Sequence, residues 1–232
     1  MNLCYFTRLI HRSINQLQSL TIDSIVSIQH FHILSNLSSL PRLYSLTIDT
    51  QSQFDDIKQL YQLVLPLPKL KYFKCDADIQ TFCYLPPVTD AKQLSSIEYL
   101  VCYHACTVNE ISTILPYLPK LCHLSFRKSD DDDDDEHIEG ISSNLTHLHI
   151  DSDIVLFDHL RMFINEKLRV LSLDVVYEDM EYFDAYRWES FLSNYVPNLK
   201  EFYFTYGTYY GDDDDQLVLP TGFRNQFNSA FF

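Results

Sequence analysis

Glycine is scarce in this chain: only Gly140, Gly207, Gly211 and Gly222 occur among 232 residues. Phosphate loops, dinucleotide turns and the nucleophile elbow all need clustered glycine, because backbone must approach a ligand closely or take up angles that a Cβ forbids. Four dispersed glycines build none of these. No His-Glu-x-x-His helix occurs, and no cysteine has a recognisable catalytic context. The chain is therefore expected not to be an enzyme and to use no cofactor. Long apolar runs are also missing. No stretch approaches the roughly 18 apolar residues of a membrane span, and residues 1–13 lack the apolar core of a signal peptide. These absences predict an intracellular protein, cytoplasmic or nuclear, with no membrane partner. The two sequons at Asn36 and Asn144 then exist on paper only.

Positive charge is in short supply as well, with 17 Lys and Arg against 32 Asp and Glu and a net charge of -15. No basic face is visible, so nucleic acid is not an expected partner. The acids are concentrated in two runs, 130–136 and 212–215, and the rest of the chain is only mildly acidic. Runs of like charge repel and cannot pack, so each reads as a solvated loop. A lure for a basic partner is the functional alternative. Neither run has the alternating spacing and turn glycine of a calcium loop. The six cysteines Cys4, Cys75, Cys83, Cys102, Cys106 and Cys122 suggest no disulfide framework. Cys75 and Cys102 fall on core strand positions and read as small buried hydrophobes of a reducing compartment. The Cys102-x3-Cys106 spacing lacks a second pair to complete a zinc site, so no metal is expected.

What the chain does have is a pattern that returns eight times. A leucine or isoleucine anchor is followed by two variable residues, an apolar residue, a variable one and another apolar one. The anchors are Leu17, Leu43, Leu70, Ile97, Leu121, Leu145, Leu168 and Leu199. Behind each anchor the apolar positions alternate, as in Leu46-Thr47-Ile48 and Leu148-His149-Ile150, which is the period of a half-buried strand. Between strands the period changes. Ile57, Leu60, Tyr61 and Val64 share one helical face, as do Ile111, Ile114, Leu115 and Leu118, and Trp188, Phe191, Leu192 and Tyr195. Thr107 and Glu110 have capping-box spacing. Pro41, Pro119 and Pro197 stand where a helix must stop before the next strand. A weaker helical or 3₁₀ segment is expected over 27–36.

Strand and helix repeating at this interval resembles the leucine-rich-repeat family, over roughly residues 15–205. The resemblance implies an α/β solenoid, a single domain over 1–232, with about eight parallel strands on the concave face and helices on the convex face. The chain departs from the family at the position three beyond the last strand apolar residue, where Asn or Cys is usual. Here Ile25, Gln51, Asp78, Ala105, Ser129, Asp153, Val176 and Gly207 occupy it, so irregular turns are expected. Within the family, the degenerate repeats and the Asp184–Glu189 stretch look like the region that follows the F-box in F-box substrate receptors. The F-box itself is not found. That resemblance implies substrate recognition in a ubiquitin-ligase setting.

If the strands stack in register, three rows of side chains line the face away from the core. The first runs Ser19, Ser45, Tyr72, Tyr99, His123, His147, Val170, Glu201, and the second Thr21, Thr47, Lys74, Val101, Ser125, His149, Ser172, Tyr203. The third runs Asp23, Asp49, Asp76, Tyr103, Arg127, Asp151, Asp174, Thr205. Tyr72, Tyr99 and Tyr103 would form an aromatic patch beside a carboxylate row, and with Asp76, Asp151 and Asp174 they are the candidate partner-binding residues, suited to a basic protein segment. An aspartate at a strand exit also caps turns without any partner. His123, His147 and His149 would share the face, where a cluster without supporting hydrogen bonds more often holds no metal. The leading expectation is a non-catalytic protein-binding scaffold. Its alternatives are a truncated structural remnant without a dedicated partner and an acidic, inhibitor-like binder of basic proteins. Residues 216–232 could fold back as a cap through Leu217, Leu219, Phe223 and Phe227.

Overall fold

The computed structural model describes residues 16–23, 36–50, 57–77, 85–90, 93–129, 144–152, 157–176 and 184–207. The acidic runs at 130–136 and 212–215, most of the expected helix at 27–36 and the fold-back at 216–232 lie outside these residues. The chain is α/β. Eight strands form one all-parallel sheet in strict chain order: β1 (Ser19–Asp23), β2 (Ser45–Thr50), β3 (Tyr72–Ala77), β4 (Tyr99–Cys106), β5 (His123–Lys128), β6 (His147–Ser152), β7 (Val170–Val176) and β8 (Glu201–Gly207).

Each repeat supplies one strand, and the register is the one that the repeats require. Ser19, Ser45, Tyr72, Tyr99, His123, His147, Val170 and Glu201 lie abreast across the whole sheet. A repeated hydrogen-bond device sets that register. At the entrance of every strand after the first, two consecutive backbone N–H groups donate to one carbonyl of the preceding unit. Tyr44 and Ser45 donate to Gln18, and Lys71 and Tyr72 to Tyr44. The pattern continues unbroken to Lys200 and Glu201 on Arg169. The backbone groups that a repeat cannot satisfy internally are thus satisfied by its neighbour.

Helices α1 (Ile57–Val64), α2 (Val108–Ile114), α3 (Phe157–Phe163) and α4 (Ala185–Tyr195) join the inward strand residues in a single apolar core. Six of the eight anchors, from Leu43 to Leu168, are buried in it, whereas Leu17 and Leu199 in the outer repeats are only partly buried. Aromatic rings tie helix to sheet: Tyr61 meets Phe73 edge-on at 5.8 Å, Phe126 lies 5.3 Å from Phe163, and Trp188 sits 5.2 Å from Phe202. The expected capping box forms, with the Glu110 N–H donating to Thr107 Oγ1 at 3.1 Å and the Thr107 N–H donating to Glu110 Oε2 at 2.7 Å. The periodic stripe 111–118 is buried as expected, but its α-helix ends at Ile114 and tightens to a 3₁₀ turn over Leu115–Tyr117. Pro116 is the cause, since proline offers no N–H to continue the α-helical hydrogen-bond ladder.

Candidate functional site

The residues expected to face away from the core do so. Along β3, Tyr72, Lys74 and Asp76 are half-buried while Phe73, Cys75 and Ala77 are buried, and β5 and β6 alternate in the same way. Because in-register strands are about 4.8 Å apart, like side chains come abreast and stack. The Tyr99 ring lies 4.0 Å from His123 at an interplanar angle of 19°, and His123 lies 3.8 Å from His147 at 16°. Three rings from three repeats form a continuous pile on the open face. The His123 imidazole is pushed below its usual range by burial in the pile and by the charge of His147. Lys74 reaches over the Tyr103 ring at 4.6 Å.

The third row is less uniform than the sequence suggests. Asp23, Asp49 and Asp76 lie abreast on β1–β3, and Asp151 and Asp174 on β6–β7. Asp76 stands 3.7 Å from Lys74, Asp151 accepts from Arg127 Nε at 3.1 Å, and Asp174 is 3.8 Å from His149. Asp76 and Asp151 therefore carry local counter-charges, and Asp174 faces an imidazole. Among the described residues Asp23 and Asp49 have no ion-pair partner, so the unbalanced negative potential lies toward β1 and β2. The row also breaks at β4. Cys102 pairs with Phe126, but Arg127 then pairs with Ala105, so Tyr103 and His104 are two extra residues opposite nothing on β5. Tyr103 stays on the open face but outside the register of its row.

A second ladder runs along the strand entrances, in place of the Asn or Cys ladder that the chain lacks. Ser96 Oγ donates to the Pro68 carbonyl at 3.0 Å, Asn144 Nδ2 to Pro119 at 3.1 Å and Asn198 Nδ2 to Glu166 at 2.8 Å. Each donor immediately precedes an anchor and each acceptor lies two residues before the previous repeat's anchor. The recurrence of a short polar residue before the anchor was the available signal.

The unbroken alternation of β4 turns His104 into the core, a placement the sequence reading missed. Cys102, His104 and Cys106 are all buried there, with one ligand atom of each within 4.8 Å of the other two. Cys106 Sγ lies 3.1 Å from His104 Nδ1. The Tyr61 hydroxyl, brought in by α1, lies 2.9 Å from His104 Nε2 and 3.1 Å from Cys102 Sγ. Hydrogen bonding from Cys106 holds the Cys102 thiol well below its usual range, at about 5, aided by His104 and Tyr61 and opposed by burial. Burial, with the neighbouring thiols, pushes the Tyr61 phenol up. Among the described residues no helix is long and apolar enough to cross a membrane. No family model, curated protein or solved structure gives a significant match to this chain.

Proposed function

We propose that this chain is a leucine-rich-repeat-like solenoid with its sheet on the concave side and its helices on the convex side, working as a non-catalytic scaffold for an intracellular protein partner. One strand per repeat, stacked in chain order with a shared register, supports the solenoid reading. The observation that carries the binding reading is the open-face ring pile of Tyr99, His123 and His147 on β4 to β6, on the same sheet as Asp23 and Asp49 of β1 and β2. Rigid stacked rings offer flat contact area at little cost in side-chain entropy, and a negative patch at one end fixes the orientation of a basic segment. The partner is thus a protein segment that combines Lys or Arg with apolar or aromatic side chains. By its resemblance to the repeat region of F-box receptors, the scaffold would present such a partner for ubiquitin transfer.

Fluorescence anisotropy with a panel of labelled basic-aromatic peptides tests the reading directly. Binding should weaken about tenfold in Tyr99→Ala, as for an interface anchor, and should lose much of its salt dependence in Asp23→Lys combined with Asp49→Lys. Equal affinities for wild type and both variants, or a preference for acidic peptides, would overturn it.

A further inference from the structure

Residues four apart on a regular strand are separated by about 13 Å, at the usual rise of 3.3 Å per residue. Cys102 and Cys106 are four apart on β4, yet their sulfurs lie within 4.8 Å of each other and of a His104 nitrogen. Such convergence requires the strand to buckle locally, and the two-residue insertion at Tyr103 and His104 is the irregularity that allows it. Two sulfurs and an imidazole nitrogen are thereby gathered at a single point inside an aliphatic core. Aliphatic side chains would fill that volume at less cost, because each buried polar group needs a partner. Soft sulfur and imidazole donors converging in a dry site match the preferences of zinc-type ions.

We infer that Cys102, His104 and Cys106 are the three converged ligands of a buried, structural metal site of the zinc class, with Cys75, whose sulfur lies outside that 4.8 Å cluster, moving in as the fourth ligand when the ion binds. Cys75 is buried and inward-facing on β3, directly abreast of Cys102 in the sheet register. Three thiolates and one imidazole make a standard tetrahedral donor set for zinc. No disulfide involves any of these cysteines. Tyr61 supplies the outer support. Its hydroxyl at 2.9 Å from Nε2 orients the ring and leaves Nδ1 on the side of Cys106 Sγ, 3.1 Å away. All four ligands are shut off from solvent, so no position is open to a substrate and the ion's role is structural. It pins the irregular β4 against β3 and α1 at the centre of the sheet.

The test loads the reduced, metal-stripped full chain with cobalt(II) and then with zinc(II). One equivalent of cobalt should give a tetrahedral spectrum with thiolate-to-cobalt charge transfer, and one equivalent of zinc should displace it and raise the melting temperature. His104→Ala and Cys106→Ser should weaken binding by at least about 100-fold, and Tyr61→Phe by about tenfold. Cys75→Ser should lower the charge-transfer intensity by about one third, as expected for two thiolates in place of three. Cys122→Ser removes a half-buried thiol outside the cluster and should change nothing. Should the core variants fail to fold, the wild-type spectrum and stoichiometry still decide. Absence of thiolate charge transfer in the wild-type chain, or its loss in Cys122→Ser, would overturn the site.

Discussion

His123 shows how a single residue reports on the open face. Its ring is clamped between Tyr99 and His147, and burial together with the His147 charge disfavours its protonation. The folded chain therefore takes up that proton at lower pH than the unfolded chain, whose histidine titrates near 6.5. In the window between the two, the unfolded state holds more protons, and stability falls as pH falls. Above the unfolded value the term vanishes. Urea unfolding between pH 7.5 and about 5 should show this loss, and His123→Phe, which keeps a ring in the pile, should flatten the slope. An unchanged slope in that variant would place the pH dependence elsewhere. The pile was legible in advance because the motif puts Tyr99, His123 and His147 at equivalent positions. The pairing of Asp76, Asp151 and Asp174 with Lys74, Arg127 and His149 was not, since side-chain reach across strands depends on rotamers that spacing does not encode.

At the scale of elements, the α2 start is the place where one residue governs a whole repeat. Thr107 and Glu110 are buried and satisfy each other's backbone N–H groups. Thr107→Ala should cost about 1–2 kcal/mol, at the upper end for helix caps, because the Glu110 N–H loses its acceptor in a dry setting. Thr107→Ser keeps the hydroxyl and should cost much less in the same chemical denaturation; equal losses would assign the effect to packing of the threonine methyl. This element was readable from the four-residue spacing alone. Helix α3 was not, because Leu160 and Phe163 are its only described buried residues and an i, i+3 pair falls short of a stripe. The β4 insertion was hidden for a different reason. It leaves the inward and outward alternation intact, so Cys102, His104 and Cys106 keep the parity of an ordinary strand and nothing in the period betrays the shift in register.

For the whole molecule, the decisive property is that each strand pairs only with its neighbours in chain order. Stability in such an array is close to a sum of repeat and nearest-neighbour terms, so the position of a repeat matters as much as its sequence. Leu145 is fully buried with strands on both sides, whereas its counterpart Leu199 in the last described repeat is only partly buried. Leu145→Ala should therefore cost about 2–5 kcal/mol and uncouple the sheet at β6, while Leu199→Ala should cost less and act locally. Native-state hydrogen exchange separates the two outcomes. The amides of β3 to β7 should be the slowest in the wild type, and Leu145→Ala should speed exchange across β5, β6 and β7 together. Leu199→Ala should speed exchange in β8 and leave β3 to β5 unaltered. Uniform acceleration of all eight strands by either substitution would mean that the sheet opens as one global unit, and the nearest-neighbour description would then fail.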